Sequence, residues 1–251
     1  MAEEVVGERR AATEERLLAL GRGVLVVVLA FLGAVVAAGI VRSGLLSAGL
    51  GADTTAHKVV VSVGQFLGFG LGVAGYLGAT DDWTLVTDRV RRPTVRDVGY
   101  LVVGMVVLLV AANVIGRLLA EFGIEVAQNS VVLAGRDDPR FFLWMIPVSI
   151  LLVGPFEELV FRGGLQGSLR RAWGPGPAIV LASAGFGAVH LPALIGGQQG
   201  AIVYIVVAAT LGLVLGAAYE RTENLLVPAG AHGLYNATLF AVQYATATGA
   251  V

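Results

Sequence analysis

Glu157, Glu158 and Arg162 fall in the stretch Gly154-Pro-Phe-Glu-Glu-Leu-Val-Phe-Arg-Gly163, flanked by the apolar runs Phe141 to Val153 and Leu159 to Phe161. An ionisable side chain at bilayer depth costs roughly 2.5–3.5 kcal/mol even on a lenient insertion scale. Three so close together require a purpose. Glu158 and Arg162 are i,i+4 neighbours and can pair along one helix face. Glu157 is rotated by about 100° from Glu158, so the two carboxylates take separate jobs. Glu158 holds the helix face through Arg162, and Glu157 is free to point into a cavity as a base. Pro155 loosens the backbone just upstream and helps Glu157 turn inward.

The four-residue spacing recurs on two later apolar segments, as Phe186 with His190 and as His232 with Asn236. An imidazole one turn from a carboxamide offers a titratable group beside a fixed donor, which suits holding a water or stabilising an oxyanion. Taken singly, each residue has a structural explanation. A membrane histidine is often a helix–helix hydrogen-bond partner, and a Glu–Arg pair is as often a clamp as a site. Asn113 is a polar residue of that plain kind, and His57 beside Lys58 reads as interfacial. The co-occurrence of all six groups in the C-terminal half is what points to a reaction site.

The elements that must position these groups are membrane helices. The 251-residue chain is 56% hydrophobic and 14% charged, with a mean hydropathy of +0.80. Soluble domains carry about 25% charged residues. A net charge of −1 gives no reason to expect a nucleic-acid partner. The absence of cysteine removes disulfides, thiolate metal sites and thiol nucleophiles. Seven stretches are long enough to span, each about 20 residues: 24–41, 57–79, 98–118, 141–165, 177–195, 200–219 and 224–245. The fold class expected is an all-α polytopic transmembrane bundle, one integral membrane domain over 1–251. Residues 1–23 form a charged cytoplasmic N-terminus (Glu3, Glu4, Glu8, Arg9, Arg10, Glu14, Glu15, Arg16, Arg22), and 141–245 carry the motifs.

Gly-Gly-Gln-Gln at 196–199 is the weakest break, a very tight turn or a re-entrant bend. Residues 82–97, with Trp83, Val86 and Val90 on one face, suit a short amphipathic piece at the headgroups, or a plain charged loop. Gly64, Gly68 and Gly72, and Gly212 with Gly216, repeat at spacing four; close packing within the bundle explains them more simply than a homodimer face.

Basic residues set the orientation. Arg9, Arg10, Arg16, Arg22, Arg89, Arg91, Arg92, Arg96, Arg170, Arg171 and Arg221 share one side; Arg42, Lys58, Arg117, Arg136 and Arg140 share the other. The excess puts the N-terminus in the cytoplasm of a multi-pass cell-membrane protein. Glu157 and His232 then lie roughly 12 Å below the inner edge and His190 roughly 20 Å, so the site should open to the cytoplasm.

Glu157-Glu158-Leu-Val-Phe-Arg162, Phe186-Gly-Ala-Val-His190 and His232-Gly-Leu-Tyr-Asn236 resemble the three motifs of the CPBP (Abi) intramembrane proteases. That family includes the type II CAAX prenyl endopeptidases and bacteriocin-processing or self-immunity relatives. The resemblance spans roughly residues 141–245. It implies an intramembrane endopeptidase that hydrolyses a peptide bond at or within the bilayer. Glu157 would activate the attacking water together with His190. His232 and Asn236 would stabilise the oxyanion, while Glu158 and Arg162 would shape the site.

The substrate would be a membrane-associated peptide or protein, prenylated or not. Glu157, His190 and His232 are also a two-histidine, one-carboxylate set that suits a divalent metal such as zinc, as in a metalloprotease. A metal-free glutamate base uses the same residues. Two other classes fit the polar cluster: a transporter conducting protons or ions, and a non-catalytic membrane interaction or immunity protein.

Overall fold

Small residues four apart decide how the first two helices meet. The computed structural model describes residues 2–250, with the side chains of residues 2–6, 8 and 9 outside the described set. Helix α1 runs unbroken from Ala2 to Ser47, so the expected charged segment and the first span are one helix. The side chains of Glu3, Glu4, Glu8 and Arg9 lie outside the described set. Val26, Ala30 and Ala34 form its buried stripe. This stripe meets α2 (Thr55–Thr80), where Gly68 and Gly72 let the α1 backbone approach directly. A Cβ on Gly68 would lie 2.8 Å from the Ala34 Cα, and one on Gly72 would lie 2.7 Å from the Ala30 Cα. The glycine repeat therefore serves packing within the bundle, as the simpler reading held.

The 82–97 segment is not an amphipathic surface helix. Up to the start of α4 only α3 (Thr84–Thr87) is helical, and its buried residue is Leu85, while Trp83 and Val90 are exposed. Asp82 takes two hydrogen bonds from Arg171, and that guanidinium holds the Asp82 carboxyl below the usual carboxylate range. Helix α4 (Val95–Glu121) starts with a Thr94–Asp97 capping box. Arg91 reaches both Asp97 and the Thr222 carbonyl, which wires this loop to the turn before the last helix.

After α4 come β1 (Gln128–Asn129) and α5 (Ser130–Ala134). The central stretch Arg140–Trp173 is one helical rod made of α6 (Arg140–Val148), α7 (Gly154–Glu158) and α8 (Gly167–Trp173), with π-helical turns at Ser149–Val153 and Leu159–Gln166 between them. Pro155 accounts for the first π turn: it has no N–H for the Leu151 carbonyl, and Gly154 N–H bonds back to Ser149. Phe161 to Gln166 are buried in the second, at the centre of the molecule.

Helix α9 (Pro175–Ala188) ends in a 3₁₀ turn and β2 (Leu194–Ile195), followed by α10 (Gln198–Thr222) and α11 (Leu226–Ala247). β2 pairs antiparallel with β1, and Gly196 turns the chain at φ +145. The 196–199 break is thus a turn held by a two-strand clamp.

Among the described residues, six helices are long and apolar enough to cross a membrane, against seven expected. The seventh, α11, has the length but carries His232, Asn236 and Gln243 among many small residues. Its polarity belongs to the site.

Candidate active site

Two glycines bring the carboxylates to the histidine. A Cβ on Gly154 would lie 2.8 Å from the Gly233 N, and one on Gly233 would lie 2.8 Å from the Ser149 carbonyl oxygen. The backbones of α7 and α11 therefore touch at this point, and Glu157, Glu158 and His232 follow within one turn. Gly233→Ala should force the two helices apart, at a cost of about 1–3 kcal/mol for overpacking, and lower activity with it. Gly99→Ala is the control, since a Cβ there meets nothing within 4 Å. Thermal unfolding of both variants in detergent checks the difference.

Glu158 and Arg162 pair as their spacing predicts, with Arg162 Nε donating to Glu158 Oε2 at 2.9 Å and both side chains fully buried. The second carboxylate oxygen has a partner that spacing could not reveal. His232 Nδ1 donates to Glu158 Oε1 at 2.9 Å across 74 positions of sequence. The other ring nitrogen, Nε2, faces Glu157 Oε2 at 3.8 Å, beyond direct hydrogen-bond length. The two carboxylates do point in different directions, but both meet the same imidazole at opposite edges. Glu158 is more than a helix clamp. It fixes the orientation and tautomer of His232. Glu157 retains partial exposure at 17%, while Glu158 has none.

His190 is set by the end of its helix. The last carbonyls of a helix lack intrahelical partners. His190 N–H tightens to Gly187, and His190 Nδ1 donates to the Phe186 carbonyl at 2.7 Å. A carbonyl only accepts, so Nδ1 carries a proton and Nε2 of the neutral ring is free to accept.

The Phe186 ring lies between the two histidines, 4.9 Å from His190 and 5.6 Å from His232. It also packs edge-on against Phe161 and under the Arg162 guanidinium. Phe186 was visible only as the residue one turn before His190; its wedge position comes from tertiary packing. Tyr204, whose ring lies 5.7 Å from His190, accepts a hydrogen bond from Asn129 Nδ2 at the strand clamp. No pattern in the sequence singled out either residue. Asn236 is half-buried one turn beyond His232.

Glu157 lies within electrostatic reach of both His190 and His232. Among the described residues, however, no three His, Asp or Glu side chains come together as a metal-holding group. With His232 Nδ1 on Glu158 and His190 Nδ1 on a backbone carbonyl, the two Nε2 atoms are the ring nitrogens that these bonds leave free.

The end expected for the central helix changes. The central rod extends to Trp173 rather than Leu165, so Glu157 sits at its middle. His190 ends the helix that starts on the N-terminal face, next to the β1–β2 clamp on the opposite face. Gly163 and Ala229 are both buried. His57 is likewise buried, at the start of α2, where its Nδ1 on the Leu50 carbonyl anchors the preceding loop.

The fold is thus a helical membrane bundle around a buried carboxylate–histidine cluster. Residues 139–238, the part that holds every one of these groups, match the family model described as type II CAAX prenyl endopeptidase Rce1-like. This match supports the CPBP, CAAX protease-like, family for the chain and, with it, a CAAX protease-type endopeptidase. No curated protein and no solved structure matches the chain.

Proposed function

We propose that the chain is an intramembrane endopeptidase in which Glu157 activates the water that attacks a peptide bond. The observation that carries this reading is His232 bridging the two adjacent carboxylates, bonded to Glu158 at 2.9 Å and facing Glu157 at 3.8 Å. Glu157 is the one carboxylate of the pair with no basic residue bonded to it and some access, so it can accept a proton. Glu158 is neutralised by Arg162 and is committed to holding His232.

The hydrogen-bond directions support a division of labour between the histidines. His190 Nε2, an acceptor in the neutral ring, suits the water side with Glu157. His232 in its protonated form donates from both nitrogens, Nδ1 to Glu158 and Nε2 toward the space beside Glu157. That second donor and the half-buried carboxamide of Asn236 are suited to the oxyanion of the tetrahedral intermediate. The proton taken by Glu157 then goes to the leaving amine.

Asn236→Ala should lower kcat with little change in KM, as expected of a group that acts mainly on the transition state. Steady-state kinetics on any cleaved peptide check this, and an unchanged kcat with a raised KM would assign Asn236 to ground-state binding.

The substrate in this reading is a membrane-associated peptide or protein, with or without a prenyl group. The whole chain acts as one domain in the cell membrane with its N-terminus in the cytoplasm. The test is cleavage of quenched peptides, prenylated and plain, by purified protein and Glu157→Ala in parallel, with metal analysis of the same preparation. Cleavage by wild type alone supports the reading, and equal cleavage by both refutes the role of Glu157. Stoichiometric metal whose removal abolishes cleavage would replace the metal-free base with a metal-bound water. For orientation, single cysteines at the exposed Ala52 and Asp88 lie on opposite faces. An impermeant thiol reagent outside the cell should label only the first.

A further inference from the structure

The i,i+4 series that starts at Glu158 and Arg162 continues through Gln166 to Arg170, and the structure joins it into one hydrogen-bonded ladder. Arg162 Nη1 donates to Gln166 Oε1 at 3.4 Å. Gln166 Nε2 donates to Glu220 Oε1 at 3.1 Å and to the Gly216 carbonyl at 3.2 Å. Arg170 Nε donates to Glu220 Oε2 at 2.7 Å and closes the ladder at a partly exposed edge. Gln166 is fully buried.

The amide of Gln166 has only one workable orientation. Its oxygen faces a guanidinium and its nitrogen faces a carboxylate and a carbonyl. The flipped amide would set donor against donor at one end and acceptor against acceptor at the other. α10 presses against this point because residue 216 has no side chain: a Cβ there would lie 2.9 Å from Gln166 Oε1 and 3.3 Å from Arg162 Nη1. Nη1 also donates to Ser183 at 3.5 Å, a contact about as long as the one to Gln166, and Nη2 has no hydrogen-bond partner among the described residues. The ladder and Glu158 therefore share the work of placing Arg162.

We propose that Gln166 and Glu220 are positioning residues of the site: they fix Arg162, which fixes Glu158, which sets the His232 ring. Neither touches the space between Glu157 and the histidines. The inference rests on the peptidase reading only for what the positioned ring does.

The test uses full-length protein in nanodiscs with ¹⁵N-labelled imidazoles, since the chain has only three histidines. Glu158→Gln sets the size of the His232 ring-signal change when its acceptor is altered. Gln166→Leu should move the His232 signal in the same direction and leave His57 unmoved. On a cleaved peptide it should lower kcat about tenfold or more, as misplacement of a reacting group does, with KM changed less than about twofold.

Gln166→Glu alone sets a carboxylate against Glu220 and should behave like the leucine variant. Combined with Glu220→Gln it rebuilds the bond between positions 166 and 220, though not the one to the Gly216 carbonyl, and should recover the His232 signal part of the way to wild type. An unmoved His232 signal in Gln166→Leu, or a double variant no better than Gln166→Glu, overturns the proposal. Should Gln166→Leu fail to fold, the comparison of Gln166→Glu with the double variant decides. If wild type cleaves no peptide, the peptidase reading falls while the ring signals still decide the ladder.

Discussion

Glu157→Gln is expected to reduce peptide cleavage by about 10²–10⁴-fold, the usual contribution of a general base, while leaving the protein folded and inserted. The carboxamide keeps the volume of the side chain but cannot take a proton from water. Folding should survive because no ion pair closer than the 3.8 Å approach to His232 depends on Glu157, and its side chain is partly exposed. The check is kcat together with thermal unfolding in the same detergent. Retention of more than about a tenth of the wild-type rate, far short of the loss a general base entails, would move the base elsewhere in the site.

Arg162→Ala should fail differently. It removes the only guanidinium on Glu158 and leaves that carboxylate buried with His232 alone. Breaking a buried pair from one side costs about 3–5 kcal/mol, because the remaining charge is uncompensated. It also frees Gln166 Oε1 and opens space under the Phe186 ring. Arg170→Ala at the exposed end of the same ladder is the comparison, since a partly exposed pair contributes about 0–1 kcal/mol. Thermal unfolding should separate the two variants clearly, with Arg162→Ala alone losing both stability and activity. Equal, small losses would mean that water reaches Glu158 and that the core of the site is wet.

What the sequence made legible follows from the range of each interaction. The Glu158–Arg162 pair, the Phe186–His190 contact and the glycine packing of α1 on α2 are set by helical spacing, and each appears where spacing puts it. The bond from His232 to Glu158 joins positions 74 apart and depends on the Gly154–Gly233 backbone contact, which no periodicity encodes. The end of the central helix was drawn too early because the charged Arg170 and Arg171 suggested a loop, whereas both lie on the continuing rod, with Arg171 tied to Asp82 and Arg170 to Glu220. The same charges hid the ladder: Gln166 was one turn from Arg162 in plain view, but its meaning required Glu220 from another helix. Of the two readings of 82–97, the structure is nearer the charged loop, since only Thr84–Thr87 and the start of α4 are helical and Leu85 turns into the core.

Mass spectrometry of peptide products formed in H₂¹⁸O by the reconstituted protein tests the central claim most directly. Direct attack by water activated at Glu157 predicts new peptide termini from wild type, each new carboxylate carrying one heavy oxygen, and none from Glu157→Gln. Proteoliposomes that yield no new termini across prenylated and plain peptides, yet pass protons in a Glu157-dependent manner, would contradict the peptidase and establish a conducting path in its place.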